Sequence, residues 1–430
     1  MNPMFEYRQK IVSAEEAVSR VQSGKKIYTS GNAATPQLLL DALALRKDEL
    51  KNIEIYHLLL LGKDALSQPD MVGHFRHKSL FVGPADRAAV NEGHADYLPV
   101  FLFDIPNLIR HQIKPEIAFV HTSPPDKHGF VSLGVEIAAT KAAIETADLV
   151  VVLVNEKMPR SRGDSYVHIS QIDYIVECSE NLPVIPPEQA TEVEEKIATS
   201  IMPLIEDGAT LQLGIGGIPN AVLAQLTSKK DLGIHTEMVS DSVVTAIEAG
   251  IVTNMRKQLN VGKVVATFTL GTQDLYQYIH ENPRFEMHPV DYTNNQFVIA
   301  KHNNFVAINS ALEIDLTGQV CSDSIGFSIF SGFGGQVDFI RGASRSMNGR
   351  PIIALPATAR KGAVSRIVPY LRPGAGVVTS RADVHYVITE FGTAYLHGKT
   401  LRERAEALIQ IAHPDFRQEL ESFAISHKLL

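Results

Sequence analysis

The sequence predicts an α/β protein made of two tandem, duplicated open α/β domains, and three observations lead to that class. Short apolar runs alternate with amphipathic stretches, the pattern of strands and crossover helices in a mostly parallel sheet. The chain has 430 residues, enough for two or three domains with large cores. The second half also repeats the spacing of the first. Gly31 to Pro36 and Gly214 to Pro219 are each five residues apart, and Pro36 to Leu43 and Pro219 to Leu226 are each seven. Later, His121 leads into Asp126-x-x-Gly129-x-Val131, and Asn309 leads into Asp315-x-x-Gly318-x-Val320. Two matches in the same order in each half indicate duplication. A cluster of Pro183, Pro186 and Pro187 marks the boundary, giving domains 1–187 and 188–430.

Each element has a local reason. Ser13 caps a helix over residues 13–23, with Glu15 and Glu16 in its first turn and Ala17, Val18 and Val21 on one face. Residues 26–31 form a strand running into Gly31, and Pro36 opens a helix through Leu43. Residues 53–60 and 117–121 are buried strands; a helix over 135–147 and a strand over 149–154 complete the first copy. The second copy begins with an acidic helix over 188–199. The loop from Leu213 to Pro219 then carries Gly214, Gly216 and Gly217, and Pro219 opens an apolar helix through Ala221, Val222, Leu223 and Leu226. A strand over 351–355 and helices over 401–411 and 414–426 close the chain.

Composition excludes several classes. Hydrophobic residues make up 45% and charged residues 20%, ordinary for a soluble globular protein. A formal net charge of −8 gives no electrostatic reason to expect nucleic acid or an anionic membrane surface as a partner. The amino terminus lacks the basic-then-apolar pattern of a signal peptide, and apolar runs such as 149–154 are far too short to cross a bilayer. Only two cysteines, Cys178 and Cys321, argue for a reducing compartment, so the expected location is cytoplasmic.

The chemistry centres on Glu237, in a short apolar run bounded by Gly233 and Ser240 that reads as the carboxyl end of a buried strand. Ligands of open α/β sheets bind at that edge. Beside it the glycines at 214, 216 and 217 let backbone approach a ligand, and a helix amino terminus follows. A buried carboxylate next to free backbone N–H groups suits acyl chemistry, the carboxylate as nucleophile and the amides as oxyanion donors. A partly exposed glutamate beside a tight turn fits this stretch equally well. A second glycine-rich loop carries Gly332, Gly334 and Gly335 around an aromatic residue. Arg360, Lys361, Ser365 and Arg366 either hold phosphates or form a solvated basic loop, and local sequence does not choose.

Rival chemistries fit less well. His121, Asp126 and His128 are liganding types within eight residues, but their spacing matches no standard metal signature, so no metal is expected. Ser331 lacks the glycine two residues before it that a nucleophile elbow needs. The loop after Leu213 lacks the third glycine of a dinucleotide fingerprint.

As a set, seven ordered motifs resemble the acetyl-CoA hydrolase/transferase family. They are Ser123-Pro-Pro-Asp-x-His-Gly-Phe-x-Ser-Leu-Gly134, Gly214-Ile-Gly-Gly-Ile-Pro219, His235-Thr-Glu-Met238, Pro289-Val-Asp-Tyr292, Ile308-Asn-Ser-Ala-Leu-Glu-Ile-Asp315, Gly332-Phe-Gly-Gly335 and Ser365-Arg-Ile-Val-Pro369. The likeness spans nearly the whole chain and is greatest to 4-hydroxybutyrate and butyryl-CoA:acetate CoA-transferases. It implies two open α/β domains of the CoA-transferase type, and CoA transfer between a short-chain acyl group and acetate through a glutamyl-CoA thioester. An acyl-CoA hydrolase on the same scaffold is the alternative, and a non-catalytic CoA-binding protein a more remote one. By the resemblance, Glu237 is the nucleophile and the N–H groups of Ile215 and Gly335 form the oxyanion hole. Asn294 or its neighbour Asn295 orients the acyl carbonyl, and Arg360, Lys361, Ser365 and Arg366 are candidates for the CoA phosphates. Coenzyme A enters as substrate, with no tightly bound cofactor, and a homodimer or higher homo-oligomer is expected.

Overall fold

The computed structural model describes residues 3–214 and 216–430. It divides into two compact units. One comprises residues 1–186, 265–293 and 329–332; the other comprises 187–264, 294–328 and 333–430. A single cut at 187/188 therefore leaves two segments, 265–293 and 329–332, on the far side from the unit with which they cluster.

The first unit holds a seven-stranded sheet: β1 (Lys26–Thr29), β2 (Ile53–Leu58), β3 (Phe75–Phe81), β4 (Asp96–Tyr97), β5 (Ile117–Thr122), β6 (Leu149–Asn155) and β7 (Tyr174–Cys178). Its spatial order is β4-β3-β2-β1-β5-β6-β7, and every neighbouring pair is parallel. The second unit holds six strands: β8 (Thr210–Leu213), β9 (Gly233–Ile234), β10 (Phe305–Ser310), β11 (Arg350–Ala354), β12 (Tyr386–Thr389) and β13 (Gly392–Tyr395). They lie in the order β9-β8-β10-β11-β12-β13, parallel except for the antiparallel β12–β13 hairpin. The series β2-β1-β5-β6-β7 and β9-β8-β10-β11-β12 superpose in connectivity, so the duplication read from glycine and proline spacing is a duplication of topology.

In each sheet the chain leaves the first strand to one side and later returns to its other side. That reversal opens a crevice at the carboxyl ends of β1 and β5, and of β8 and β10, where ligands of such sheets bind. Gly31 and Gly214 follow β1 and β8, so each repeat places its glycine at this switch point.

The second repeated motif is a side-chain-braced turn. Asp126 Oδ1 accepts the N–H of His128 at 2.8 Å and of Phe130 at 3.0 Å, and Gly129 N–H returns to the Asp126 carbonyl at 2.9 Å. In the other unit Asp315 Oδ1 accepts the N–H of Thr317 at 2.9 Å and of Gln319 at 3.0 Å, and Gly318 N–H returns to the Asp315 carbonyl at 2.9 Å. Gly129 and Gly318 have φ of +86° and +94°, which is why the repeat keeps glycine at that place. Asp126 is thus engaged in the turn and by Arg160 Nη2 at 3.3 Å, while His128 is exposed.

The predicted elements recur with shifted ends. Ser13 caps a helix of Ala14–Val18, shorter than expected, and the helix begun at Pro36 spans Gln37–Ala44. The acidic helix is Glu192–Ile201, started by a capping box of Thr191 and Glu194, and the last helix is Pro414–Ser426 as read. Ile27, Leu39, Ile55, Phe119 and Val151 sit in the first core, and Ile314, Ile340, Ile353 and Leu408 in that of the second unit. No described helix is long and apolar enough to cross a membrane.

Asp315 is 2% exposed and also accepts Thr317 Oγ1 and Gln319 Nε2, both at 2.7 Å. Asp315→Ala leaves partly buried donors without an acceptor and is expected to destabilise the protein by about 1–3 kcal/mol in chemical denaturation. An unchanged denaturation midpoint would contradict a structural role for the turn.

Candidate active site

Strand β9 has only two residues and lies at the edge of its sheet, yet it positions Glu237. Its inner side is set by β8, with Thr210 opposite Gly233 and Leu211 opposite Ile234. The pairing is prolonged past the strands by Thr236, whose Oγ1 donates to the Leu213 carbonyl at 2.9 Å and lies 3.3 Å from the Leu213 N–H. Continuing that register puts Gly214 opposite Glu237. On the outer side no strand among the described residues corresponds to β3 of the first sheet, and two side chains do its work. Asn254 Oδ1 accepts the Ile234 N–H at 2.8 Å, and Lys257 Nζ donates to the Ile234 carbonyl at 2.8 Å. Gly233 is required there, because a Cβ would come within 2.5 Å of Lys257 Cγ.

Glu237 itself lies at a bend just past the end of β9 rather than within the strand. The residue keeps partial solvent access while its carboxyl group is enclosed, which is the arrangement a buried but reachable nucleophile needs. Burial pushes the carboxyl up to about 7; hydrogen bonds from Asn294 and from the Gly335 N–H act in the opposite direction and only moderate the shift. Asn294 Nδ2 donates to Glu237 Oε2 at 3.1 Å. A Cβ on Gly335 would overlap both Glu237 Oε2 and Asn294 Nδ2, so only glycine lets the backbone amide reach the carboxylate. Behind the site, the buried ring of His235 packs against Phe305, Phe339 and His302 at centroid distances of 6.2, 6.4 and 5.1 Å. Burial holds His302 down to about 3, with Lys257 adding to the effect.

The structure therefore brings together Glu237, Asn294 and Gly335. Of the two candidate amides it is Asn294 that meets Glu237, while Asn295 Oδ1 caps the helix Gln296–Ile299 by accepting the Phe297 N–H at 2.9 Å. Ile215 lies outside the described residues. A Cβ on Gly214 or Gly216 would meet nothing within 4 Å, so both face open space, and Gly216 has a φ of +108°. Gly217 serves packing, since its Cβ would overlap the carboxylate of Glu194. Gly332 is packed against Phe81, with a Cβ there 2.9 Å from the ring, and Gly334 has a φ of +56°.

The basic segment does not converge. Arg360 and Lys361 are exposed at the tip of a hairpin whose arms are Thr358–Ala359 and Val364–Ser365. Ser365 Oγ is turned inward onto the Ile367 carbonyl at 2.6 Å. Arg366 is half-buried with Nη1 on the Ala311 carbonyl at 3.1 Å, and burial lowers its guanidinium pKa. Sequence reasoning missed Thr236, Asn254, Lys257 and Asp338, whose Oδ2 lies 3.5 Å from Asn294 Nδ2. Their sequence signal is only polarity inside or beside apolar runs.

The raised carboxyl pKa has a consequence for stability. Below the ordinary value of 4.5 the group is protonated in both folded and unfolded chains; above about 7 the fold must hold a carboxylate that prefers water. Glu237→Gln is therefore expected to melt higher than the parent at pH 8. The gap should narrow as pH falls through about 7 towards 4.5. A gap independent of pH would contradict burial as the cause of the shift.

Two family models match the chain. The acetyl-CoA hydrolase/transferase N-terminal domain covers residues 1–186, and the C-terminal domain of the same family covers 271–424. The 4-hydroxybutyrate coenzyme A transferase of Clostridium kluyveri is 50% identical over 96% of this chain and 97% of its own length. The succinyl-CoA:acetate/propanoyl-CoA:succinate CoA transferase of Fasciola hepatica is 47% identical over 96% of this chain and 87% of its own. Among solved structures, RipA from Yersinia pestis matches with a TM-score of 0.94 and 37% identity, each chain covered in full. An acetyl-CoA hydrolase of Yarrowia lipolytica is more distant, 25% identical over 80% of this chain and 73% of its own. The chain, with its two open α/β repeats and its enclosed glutamate, belongs to the acetyl-CoA hydrolase/transferase family.

Proposed function

We propose that this protein is an acyl-CoA:carboxylate CoA-transferase that works through a glutamyl-CoA thioester on Glu237. The observation that carries the reading is the enclosed Glu237 carboxyl, met among the described residues by an amide side chain and a glycine N–H rather than by a cation. A cation would stabilise the carboxylate and blunt it as a nucleophile, whereas neutral donors hold it in place and leave its basicity high. Relatives named as CoA-transferases at high identity support the same reading.

In the proposed cycle a Glu237 oxygen attacks the thioester carbonyl of acyl-CoA, the C–S bond breaks and CoA leaves as thiolate. The thiolate then attacks the glutamyl carbonyl of the resulting anhydride, its C–O bond breaks and the acyl group departs as a carboxylate. The enzyme is left as a glutamyl-CoA thioester. An incoming carboxylate attacks that carbonyl and expels the thiolate, which attacks the acyl carbonyl of the new anhydride and frees both new acyl-CoA and Glu237. No step consumes or releases a proton. The Gly335 N–H is assigned to the oxyanion that forms on the glutamyl carbonyl, together with Ile215 by resemblance, and Asn294 to orienting the reacting groups. Coenzyme A is substrate, and the acyl partners proposed are 4-hydroxybutyrate or butyrate with acetate. Arg360 and Lys361, exposed on their hairpin, remain the proposed phosphate contacts; the inward-turned Ser365 and Arg366 are assigned to supporting that hairpin.

Without an acceptor, butyryl-CoA is expected to release one equivalent of butyrate per active site and no free thiol. Continuous thiol release would replace this reading with the hydrolase. Because only the carboxylate attacks, kcat/KM for butyryl-CoA is expected to fall below pH about 7, by roughly tenfold per unit. Gly335→Ala is expected to lower kcat by about a hundredfold, and a wild-type kcat in steady-state assays would contradict the assignment of its N–H.

A further inference from the structure

Asp338 lies in the first turn of the helix Gln336–Arg345, directly after Gly335, and is 7% exposed. An acidic residue in a first turn is ordinarily explained by the helix dipole. Burial at this level makes that explanation incomplete, because a carboxylate at a helix end needs no enclosure to interact with the dipole, and enclosing it is costly. Its surroundings supply a second reason. Asn294 is fully buried, and its Nδ2 lies 3.1 Å from Glu237 Oε2 and 3.5 Å from Asp338 Oδ2. Its Oδ1 is buried with no hydrogen-bond partner among the described residues. Both carboxylates thus face the amino end of the amide. A flipped Asn294 would turn its carbonyl oxygen towards two carboxylate oxygens.

The helix that carries Asp338 is held against the one that follows Asn294. Gly342 has no Cβ to block that approach; one there would come within 2.5 Å of Ile299 Cγ2. Phe339 and Ala343 bury beside Ile299 and Phe305 in the same cluster. The position of Asp338 relative to Asn294 is therefore set by packing rather than by a flexible loop.

We infer that Asp338 is a positioning residue that keeps the amino end of Asn294 aimed at Glu237 while Glu237 carries no charge. The inference rests on the glutamyl-thioester reading above. In the free enzyme the Glu237 carboxylate shares in orienting the amide. Once Glu237 is converted to anhydride or thioester its charge is gone, and Asp338 is the carboxylate left to hold the Asn294 N–H groups where a glutamyl carbonyl oxygen must be met. Asp338 thereby favours the loaded enzyme over the free one by orienting that donor.

The test is the loading equilibrium, in which enzyme plus butyryl-CoA gives glutamyl-CoA enzyme plus butyrate. It is read by intact mass after acid quench at fixed ratios of the two substrates. In Asp338→Asn the loading constant is expected to fall by about tenfold or more, while KM for butyryl-CoA changes by less than about threefold. The same substitution should cause no further fall in an Asn294→Ala background, because the amide through which it acts is absent. Asp338→Glu keeps the charge and is expected to load better than Asp338→Asn. If Asp338→Asn does not fold, Asp338→Ser takes its place in each comparison. A wild-type loading constant in Asp338→Asn (or in Asp338→Ser where that takes its place), or an equal fall in the Asn294→Ala background, overturns the inference. Absence of any adduct in the parent enzyme instead removes the thioester reading on which it rests.

Discussion

The structure depends on keeping one carboxyl group enclosed without giving it a cation. Among the described residues, Glu237 is met by the Asn294 amide and the Gly335 N–H, and burial outweighs both, leaving its carboxyl near 7. An enclosed, uncompensated carboxylate is costly in a fold. The surroundings therefore have to be rigid enough to impose it. The register of β9 on β8, the Thr236 clasp on Leu213, and the Asn254–Lys257 pair on Ile234 supply that rigidity from three directions.

Duplication supplies the scaffold for such a site, and the two copies diverge around Glu237. Both copies keep the strand-to-glycine switch and the aspartate-braced turn. They differ at the outer edge of the second strand. In the first copy β2 is followed in space by β3 and β4; in the second, β9 is an edge strand of two residues whose outward backbone groups are satisfied by side chains. A short edge strand ends early, and the chain bends at Glu237 before the two-residue strand Met238–Val239.

Much of this was legible in the sequence where one residue type answers one local demand. Gly129 and Gly318 hold positive φ, and Asp126 and Asp315 brace the turns before them, so their spacing survives in both halves. Apolar runs such as 149–154 announce central strands. Polar-rich strands did not announce themselves: Phe75–Phe81 carries Arg76, His77, Lys78 and Ser79 in a row between apolar residues and was not read as a strand. Neighbourhood in sequence did not report orientation. Arg360, Lys361, Ser365 and Arg366 look like one basic cluster, yet a hairpin exposes the first two at its tip and turns the last two inward. Asp338 was invisible for the opposite reason, since its significance comes from Asn294, forty-four residues away in sequence. The segments 265–293 and 329–332 follow the cut at 187/188 in sequence yet cluster with the first unit, because chain order does not report which unit a segment packs against.

The most direct measurement of the central claim is the mass of the intact protein after mixing with butyryl-CoA in the absence of an acceptor, followed by peptide mapping. An adduct of coenzyme A, joined with loss of water, is expected on Glu237; it disappears when acetate is added, and without acetate borohydride reduces it to the primary alcohol of that residue with release of coenzyme A. A chain that transfers CoA to acetate at full rate while Glu237 never becomes modified would contradict it.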